Sequence, residues 1–128
     1  MDELLQETRH FFDAFVSAFS RFDGAEIARR YRAPYLAMNA EGSLTCFTEP
    51  ADIAGYFQQV VDDYYAQGVR ACRYDDLNVV PLGTSGVLGT VTWRLLRPDG
   101  ETVSCWRESY QLHRDGGEMR IFASVDHA

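Results

Sequence analysis

The sequence predicts a single α+β domain, with helices in its first half and an antiparallel sheet in its second half. Two patterns lead to this prediction: apolar residues recur at helical spacing before Gly68, and after Val69 the pattern changes to strands separated by glycine-rich turns. The chain has 128 residues, of which 46% are hydrophobic, and this suits one domain over residues 1–128.

The first two predicted helices lie at the start of the chain. Residues 3–22 form the first, because five phenylalanines and several aliphatic residues fall on one broad face. Asp23-Gly24-Ala25-Glu26 has the pattern of a capping box, so a short second helix follows, with Tyr31 facing inward. Ala33-Pro34 ends it, since the residue before a proline avoids the helical region.

A small hairpin and a third helix are predicted next. Residues 35–39 and 44–47 flank a turn at Glu41-Gly42-Ser43 and form two short strands. Thr48-Glu49-Pro50 supplies an oxygen cap, an early acid and an early proline, which is the pattern of a helix start. Gly68 is placed to end this helix.

A meander of four long strands completes the predicted fold, over residues 69–82, 87–97, 101–114 and 119–126. A three-residue loop at Pro98-Asp99-Gly100 places Arg97 opposite Glu101. The same count pairs Thr90 with Glu108, and it puts Glu108 on one face of the sheet with Arg94, Trp106 and Tyr110. The other face then carries Val91, Trp93 and Cys105.

The charged residues exclude several kinds of function. All 12 basic residues are arginine and 19 residues are acidic, which gives a net charge of −7. The absence of lysine excludes Schiff-base catalysis, and the acidic balance argues against binding to nucleic acid. No histidine or cysteine spacing matches a metal site, and we expect no metal and no other cofactor.

The first residues and the hydropathy pattern predict a cytoplasmic protein that does not bind a membrane. Met1-Asp2-Glu3 opens a charged amphipathic segment, whereas a secretory signal needs a basic start and an unbroken apolar run. No stretch of the sequence approaches the ~20 apolar residues that span a bilayer.

Short motifs along almost the whole chain carry a resemblance to a known superfamily. They are the phenylalanine-rich first helix, Asp23-Gly24-Ala25-Glu26-Ile27-Ala28, Ile53-Ala54-Gly55-Tyr56-Phe57, Trp93 before Pro98-Asp99-Gly100, Ser109-Tyr110-Gln111-Leu112, and Asp115-Gly116-Gly117 with Arg120-Ile121. With these motifs the sequence resembles the nuclear transport factor two-like superfamily, which includes ketosteroid isomerases, scytalone dehydratase, limonene epoxide hydrolase and SnoaL-like polyketide cyclases. The resemblance implies one SnoaL-like domain, with a bent sheet wrapped around three helices as a cone-shaped half-barrel. It also implies an apolar cavity that is open at one end, and a homodimer.

The resemblance allows three pocket groups of the ketosteroid isomerases to be sought in this sequence. The tyrosine donor falls near Phe15, which cannot donate a hydrogen bond. The aspartate base falls near Asn39, which cannot accept a proton at useful pH. The carboxylic acid falls near Glu108, where an acid is kept. We therefore do not expect ketosteroid isomerase activity by that mechanism, and whether the protein is an enzyme stays open.

Glu108 is the leading candidate for a functional residue. The resemblance implies that its face points inward, with Trp106 and Tyr110 lining the cavity and Arg94 near the mouth. An apolar site raises the pKa of a carboxyl, which suits a general acid. The alternative is a structural ion pair between Glu108 and Arg94 or another arginine.

Other polar residues are weaker candidates than Glu108. Tyr35, Tyr56 and Tyr64 can offer hydroxyl groups to a cavity, although ordinary packing in the core is the favoured explanation for each of them. Asp126 and His127 are adjacent on a strand and point to opposite faces, so they should not form an acid–base dyad.

Two functional hypotheses follow. The first is a domain that binds an apolar or aromatic small molecule through Phe15, Tyr35, Asn39, Tyr56, Arg94, Trp106 and Tyr110. If it is catalytic, Glu108 would perform cofactor-free acid–base chemistry in an isomerisation, cyclisation or dehydration. The second is a non-catalytic module for homodimerisation or protein interaction, which would use the outer sheet face with Val91, Trp93 and Cys105.

Overall fold

The computed structural model describes residues 2–127, which form three helices and six strands. The helices are α1 (Asp2–Ser20), α2 (Gly24–Ala28) and α3 (Pro50–Ala66). The strands are β1 (Tyr31–Met38), β2 (Leu44–Phe47), β3 (Ala71–Leu82), β4 (Gly86–Leu96), β5 (Thr102–Asp115) and β6 (Glu118–Asp126). None of these helices is long and apolar enough to cross a bilayer.

The six strands form one open, mixed sheet in the order β2-β1-β6-β5-β4-β3. β3 to β6 form the predicted antiparallel meander, and β1 pairs with β2 as the predicted short hairpin. The only parallel pairing within residues 2–127 joins β1 to β6. Register shifts interrupt four of the five pairings, and such bulges bend strands. The predicted α+β architecture of helices on a mixed sheet is confirmed.

Helix α1 packs against the sheet through its phenylalanines. Phe12 and Phe15 are fully buried, and their ring centroids lie 6.2 Å and 5.5 Å from Trp93 on β4. Each buried ring contributes about 1.5–3 kcal/mol by leaving water. Gly89 makes room for this contact, because a Cβ there would lie 3.3 Å from the Phe12 ring.

Helices α2 and α3 touch through their backbones. Asp23 caps α2 as predicted, and its carboxylate accepts hydrogen bonds from the amides of Ala25 and Glu26 at 3.0 Å and 3.3 Å. The amide of Gly24 donates to the Gln58 side chain at 2.8 Å. A Cβ on Gly24 would lie 2.5 Å from the Gln58 backbone nitrogen, so this close approach requires glycine.

The predicted C-terminal end of the second helix and the predicted cap of the third helix need correction. Tyr31 does not lie on α2 but begins β1, and Ala33-Pro34 lies inside that strand. The reason is pairing with β6, since the carbonyl of Arg30 accepts a hydrogen bond from Ile121 at 2.8 Å. Helix α3 begins at Pro50 as predicted, but its cap residue is Glu49, which makes no side-chain cap bond.

The predicted register of the long hairpin is right near its turn and wrong beyond it. Leu96 lies opposite Thr102, as the count requires, but Leu95 lies opposite Ser104 because one extra residue, Val103, bulges out of β5. Every later pair is therefore shifted by one. Val91, not Thr90, lies opposite Glu108, and the predicted faces of β4 are exchanged.

The exchange moves apolar residues to the inside of the sheet. Val91 and Trp93 were predicted on the outer face, but they are 0% and 4% exposed on the inner face. The outer face carries Thr92 and Arg94 from β4, and Arg94 forms an ion pair there with Asp75 on β3. The outer face at this point of the sheet is consequently polar.

Candidate functional site

A cavity of about 350 Å³ lies between α1, α3 and the inner face of the sheet. Half of the residues that line it are aromatic, among them Phe15 on α1, Tyr56 on α3, and Trp106 and Tyr110 on β5. The β1–β2 hairpin adds the exposed residue Asn39. Aromatic rings therefore make up half of the wall, and polar and aliphatic side chains share the rest.

Glu108 is the most deeply buried acid in this wall, with 9% of its surface exposed. Alternation along β5 points Trp106, Glu108 and Tyr110 to the same side of the sheet. The indole nitrogen of Trp106 donates a hydrogen bond to Oε1 of Glu108 at 2.9 Å. This contact fixes the carboxyl group against the cavity wall.

Asp126 is a second acid in the cavity wall, and the sequence interpretation missed it. It lies on β6 directly opposite Glu108 on β5, where its negative charge acts on the Glu108 carboxyl. Counting back from the turn at Gly116-Gly117 would place Val125 opposite Glu108. A bulge between Gln111 and Leu112 shifts the pairing by one residue, and no turn motif in the sequence indicates that bulge.

Burial and the second acid together change how Glu108 titrates. Burial raises the pKa of Glu108 most, the negative charge of Asp126 raises it further, and the result is a pKa of about 8. Hydrogen bonds from Trp106 and Tyr110 oppose this rise. Burial also raises the pKa of Asp126. At neutral pH the pair of carboxyl groups therefore keeps a proton, because the two groups titrate together.

Tyrosine hydroxyls supply the remaining polar groups. The Tyr110 hydroxyl accepts a hydrogen bond from the indole of Trp93 at 2.7 Å, and the Tyr35 hydroxyl bonds the Ser124 hydroxyl at 2.5 Å. Burial raises the pKa of Tyr35, Tyr64 and Tyr110, so these groups stay protonated at neutral pH. They are available as neutral hydrogen-bond partners.

The structure brings most of the predicted site residues together. Phe15, Tyr35, Asn39, Tyr56, Trp106 and Tyr110 all line the cavity with Glu108. Asn39 lies at the hairpin, where its side-chain oxygen accepts hydrogen bonds from the amides of Glu41 and Ser43 at 3.1 Å and 2.9 Å. The Asn39 side chain therefore already uses part of its hydrogen-bonding capacity to stabilise the turn.

Arg94 is the exception, because the shifted register places it on the outer face. Its Nε donates to Asp75 at 3.0 Å, and it does not line the cavity. This contact lowers the pKa of Asp75. The structural ion pair between Glu108 and Arg94, considered as an alternative from the sequence, is therefore wrong.

His127 lies on the opposite side of the sheet from the acid pair. Its Nε2 atom bonds the Ser109 hydroxyl at 2.8 Å, and that hydroxyl also bonds Thr90 at 2.8 Å. The prediction that Asp126 and His127 form no dyad is confirmed. The carboxyl groups of the two acids in the cavity wall thus interact with each other and with nearby indole and phenol groups.

The arrangement can move protons on a neutral molecule. Burial and the charge of Asp126 give Glu108 a pKa of about 8, so it is protonated at neutral pH, and Asp126 is a partly buried carboxyl beside it. An acid and a base in one apolar wall are the requirements for general acid–base chemistry. Among the residues that line the cavity there is no arginine, so nothing there attracts an anionic ligand.

Several solved structures share this fold at low sequence identity. Aln2 from a Streptomyces species is 17% identical and has a TM-score of 0.80, over 99% of this chain and 91% of that one. An NTF-2 like protein of unknown function from Shewanella oneidensis MR-1 is 10% identical, with a TM-score of 0.77 over 97% of this chain and 98% of the other. A domain of unknown function with a cystatin-like fold from Nostoc punctiforme PCC 73102 is 21% identical, with a TM-score of 0.72 over 94% and 74% of the two chains. At these identities the likeness establishes the fold alone.

Sequence comparison identifies the family. No curated protein matches the chain at a significant level. The family model described as NTF2-like protein (DUF6841) matches residues 6–128, and this confirms the resemblance that the motifs indicated. The chain therefore belongs to the NTF2-like protein family DUF6841.

Proposed function

We propose that the protein binds a small, neutral, largely apolar molecule in the cavity and catalyses proton transfer on it without a cofactor. The reaction class is an isomerisation, cyclisation or dehydration. The observation that carries this proposal is the pair formed by Glu108 and Asp126, which retains a proton at neutral pH inside an aromatic cavity.

The cavity supports the choice of ligand class. Its volume of about 350 Å³ is at the lower end of the range for small-molecule sites, so a ligand of one or two rings fits. Aromatic walls favour an apolar or aromatic body. An anionic ligand would meet the charge of Asp126 with no arginine among the lining residues to compensate it.

The different burial of the two acids suits them to different proton transfers. Glu108 is nine-tenths buried and protonated, so it donates its proton to an oxygen of the bound molecule. Asp126 is half-buried and accepts a proton from carbon. The two transfers leave the net charge of the protein unchanged and need no oxidant or metal. General acid–base catalysis of this kind contributes typically about 10²–10⁴-fold in rate.

Binding is tested with prodan, a neutral fluorescent probe whose aromatic body is two fused rings. We expect its fluorescence to rise with wild-type protein and to stay low with Ala37→Phe, because Ala37 lines the cavity and the larger side chain fills it. Ala66→Phe is the matched control, since Ala66 is exposed at the end of α3. Equal fluorescence with all three proteins would contradict binding in the cavity.

Catalysis is tested with a panel of neutral aryl ketones in heavy water, with deuterium incorporation at carbon measured by mass spectrometry. We expect incorporation with the wild type and a rate at least ~10²-fold lower with Glu108→Gln, which keeps the shape but not the acid. Glu101→Gln, at an exposed hairpin position, is the control. Incorporation by Glu108→Gln at the wild-type rate would reject the role of Glu108.

Pairing of two copies through the outer sheet face stays a prediction. The apolar residues first expected on that face, Val91 and Trp93, are buried inside, so contacts would use other residues of that face. These include the exposed Cys105 on β5 and the exposed Val80 and Leu82 on β3. Light scattering at micromolar concentration measures the mass, and a monomer would contradict the pairing.

A further inference from the structure

A second, more open cleft of about 830 Å³ lies where α2 and the first turn of α3 meet the start of β1 and β6. Tyr31 contributes to the wall of this cleft and also to that of the aromatic cavity. The other lining residues have a different character: four of them are arginines, and Glu118 is the one acid among them. The arginines are Arg29, Arg30, Arg32 and Arg120.

The parallel pairing of β1 with β6 brings two of these arginines side by side. Tyr31 pairs with Ile121, and the Arg30 carbonyl accepts a hydrogen bond from the Ile121 amide at 2.8 Å. Arg30 and Arg120 immediately precede this pair on the two strands. The register of the sheet therefore fixes two like charges next to each other.

Both guanidinium groups carry a buried donor without an acceptor. The Nε atoms of Arg30 and Arg120 are buried, and neither has a hydrogen-bond partner within the described part of the chain. Buried N–H groups in folded proteins are almost always satisfied, because leaving one unpaired is unfavourable. Two such donors on neighbouring strands indicate that an acceptor from outside the chain binds here.

The acids around the cleft leave Arg30 uncompensated. Glu118 lies 3.5 Å from Arg120, and Glu26 lies 3.5 Å from Arg29. Arg32 lies 3.7 Å from Asp115 and also contacts His113. Among the side chains that the structure describes, none forms an ion pair with Arg30.

The first turn of α3 adds to the positive potential of the cleft. Pro50 and Ala51 line it, and Glu49 does not cap the helix with its side chain. The dipole at a helix start favours an anion, although Pro50 has no amide to donate and the amides of Asp52 and Ile53 already donate to the Glu49 carbonyl. Glu49 and Asp52 lie in the same turn and reduce this effect, so the arginines dominate.

We propose that this cleft binds the phosphate group of a small phosphorylated molecule between Arg30 and Arg120. Planar guanidinium groups bind phosphate through pairs of parallel hydrogen bonds, and an anion here compensates the charge of Arg30, which no acid of the described residues pairs with. The site is independent of the proposed proton-transfer function, which concerns a neutral ligand in the other cavity. A protein with a net charge of −7 thus gathers four of its 12 arginines around one anion.

The test uses inorganic phosphate as the probe, on the whole protein in a phosphate-free buffer. We expect one phosphate per chain by isothermal titration calorimetry, and a melting temperature that rises with phosphate concentration. Sodium chloride at matched ionic strength should give no such rise. Acetate serves as a second arm, because comparable binding of acetate would assign the site to carboxylates and overturn the choice of phosphate.

Variants distinguish a built site from a general effect of charge. Arg30→Gln and Arg120→Gln should each weaken phosphate binding at least ~10-fold, and Arg30→Lys should restore only part of it. Arg73→Gln removes the same charge from β3 at the far edge of the sheet and should bind like the wild type. No binding to the wild type, or equal losses in Arg73→Gln and Arg30→Gln, would overturn the proposal.

Discussion

Glu108 on β5 and Asp126 on β6 lie directly opposite each other, and both carboxyl groups face the aromatic cavity. Opposed residues on neighbouring antiparallel strands have Cβ atoms roughly 4.5–5.5 Å apart, so two acids in this position cannot both ionise easily in an apolar wall. The pair therefore holds a proton at a pH where an isolated carboxyl has lost it.

The stability of the protein should fall as the pH rises from about 4.5, the ordinary pKa of a glutamate, to about 8, the pKa of Glu108 in the folded state. The folded state binds more protons than the unfolded state in this window, so the free energy of unfolding decreases as the pH increases. The contribution of Glu108 to this loss is on the order of a few kcal/mol. Urea unfolding at several pH values measures it.

Glu108→Gln separates this effect from the titration of the other acids. The amide cannot ionise, so the variant should lose much less stability over the same pH window than the wild type does. Glu101→Gln changes an exposed glutamate on the hairpin and should keep the wild-type slope. The same slope in all three proteins would show that Glu108 titrates normally.

Asp126→Asn should lower the pKa of Glu108. The charge of Asp126 raises that pKa, but burial raises it more, so the value should move down without reaching that of an exposed glutamate. Carbon-13 NMR of the labelled side chain follows the midpoint directly. An unchanged midpoint would mean that the two acids are not coupled.

Trp106→Phe should have the opposite effect. The indole N–H donates to Glu108 at 2.9 Å and stabilises the carboxylate, and phenylalanine removes that donor while keeping an aromatic ring. The pKa of Glu108 should therefore rise above its wild-type value. Infrared titration of the protonated carboxyl band reports it, and a downward shift would contradict the assigned hydrogen bond.

Gly24→Ala should destabilise the fold by about 1–3 kcal/mol, because its Cβ would meet the α3 backbone at Gln58 and Ala54, which cannot move aside as a side chain can. Gly55 on α3 provides the matched contrast. A Cβ at Gly55 has nothing within 4 Å, and Gly55→Ala should stabilise the helix by roughly 0.5–1 kcal/mol. Chemical denaturation measures both, and equal effects would contradict the close contact of α2 with α3.

The sequence predicts the elements of this fold well because local chemistry determines them. The phenylalanine face of α1, the Asp23 cap and the left-handed Gly68 after α3 are each set by neighbouring residues. Tyr31 is different: its place in β1 depends on pairing with Ile121, which is 90 positions away. No local pattern carries that information.

Bulges explain why the candidate site is only partly predictable. Glu108 is identified by the resemblance, which places a carboxylic acid of the ketosteroid isomerases near it, and strand alternation groups it with Trp106 and Tyr110. Its neighbours across the sheet depend on Val103 and on the shift between Gln111 and Leu112, where one residue drops out of the pairing. Each bulge moves a whole strand by one residue, so the sequence places Arg94 in the cavity and does not place Asp126 opposite Glu108.

A carbon-13 NMR titration of the Glu108 carboxyl in the wild-type protein tests the proton-holding acid pair most directly. We predict a midpoint near pH 8, with the resonance identified by its absence from Glu108→Gln. A midpoint at the ordinary glutamate value of 4.5 would contradict the buried, protonated acid and, with it, the proposed chemistry of the cavity.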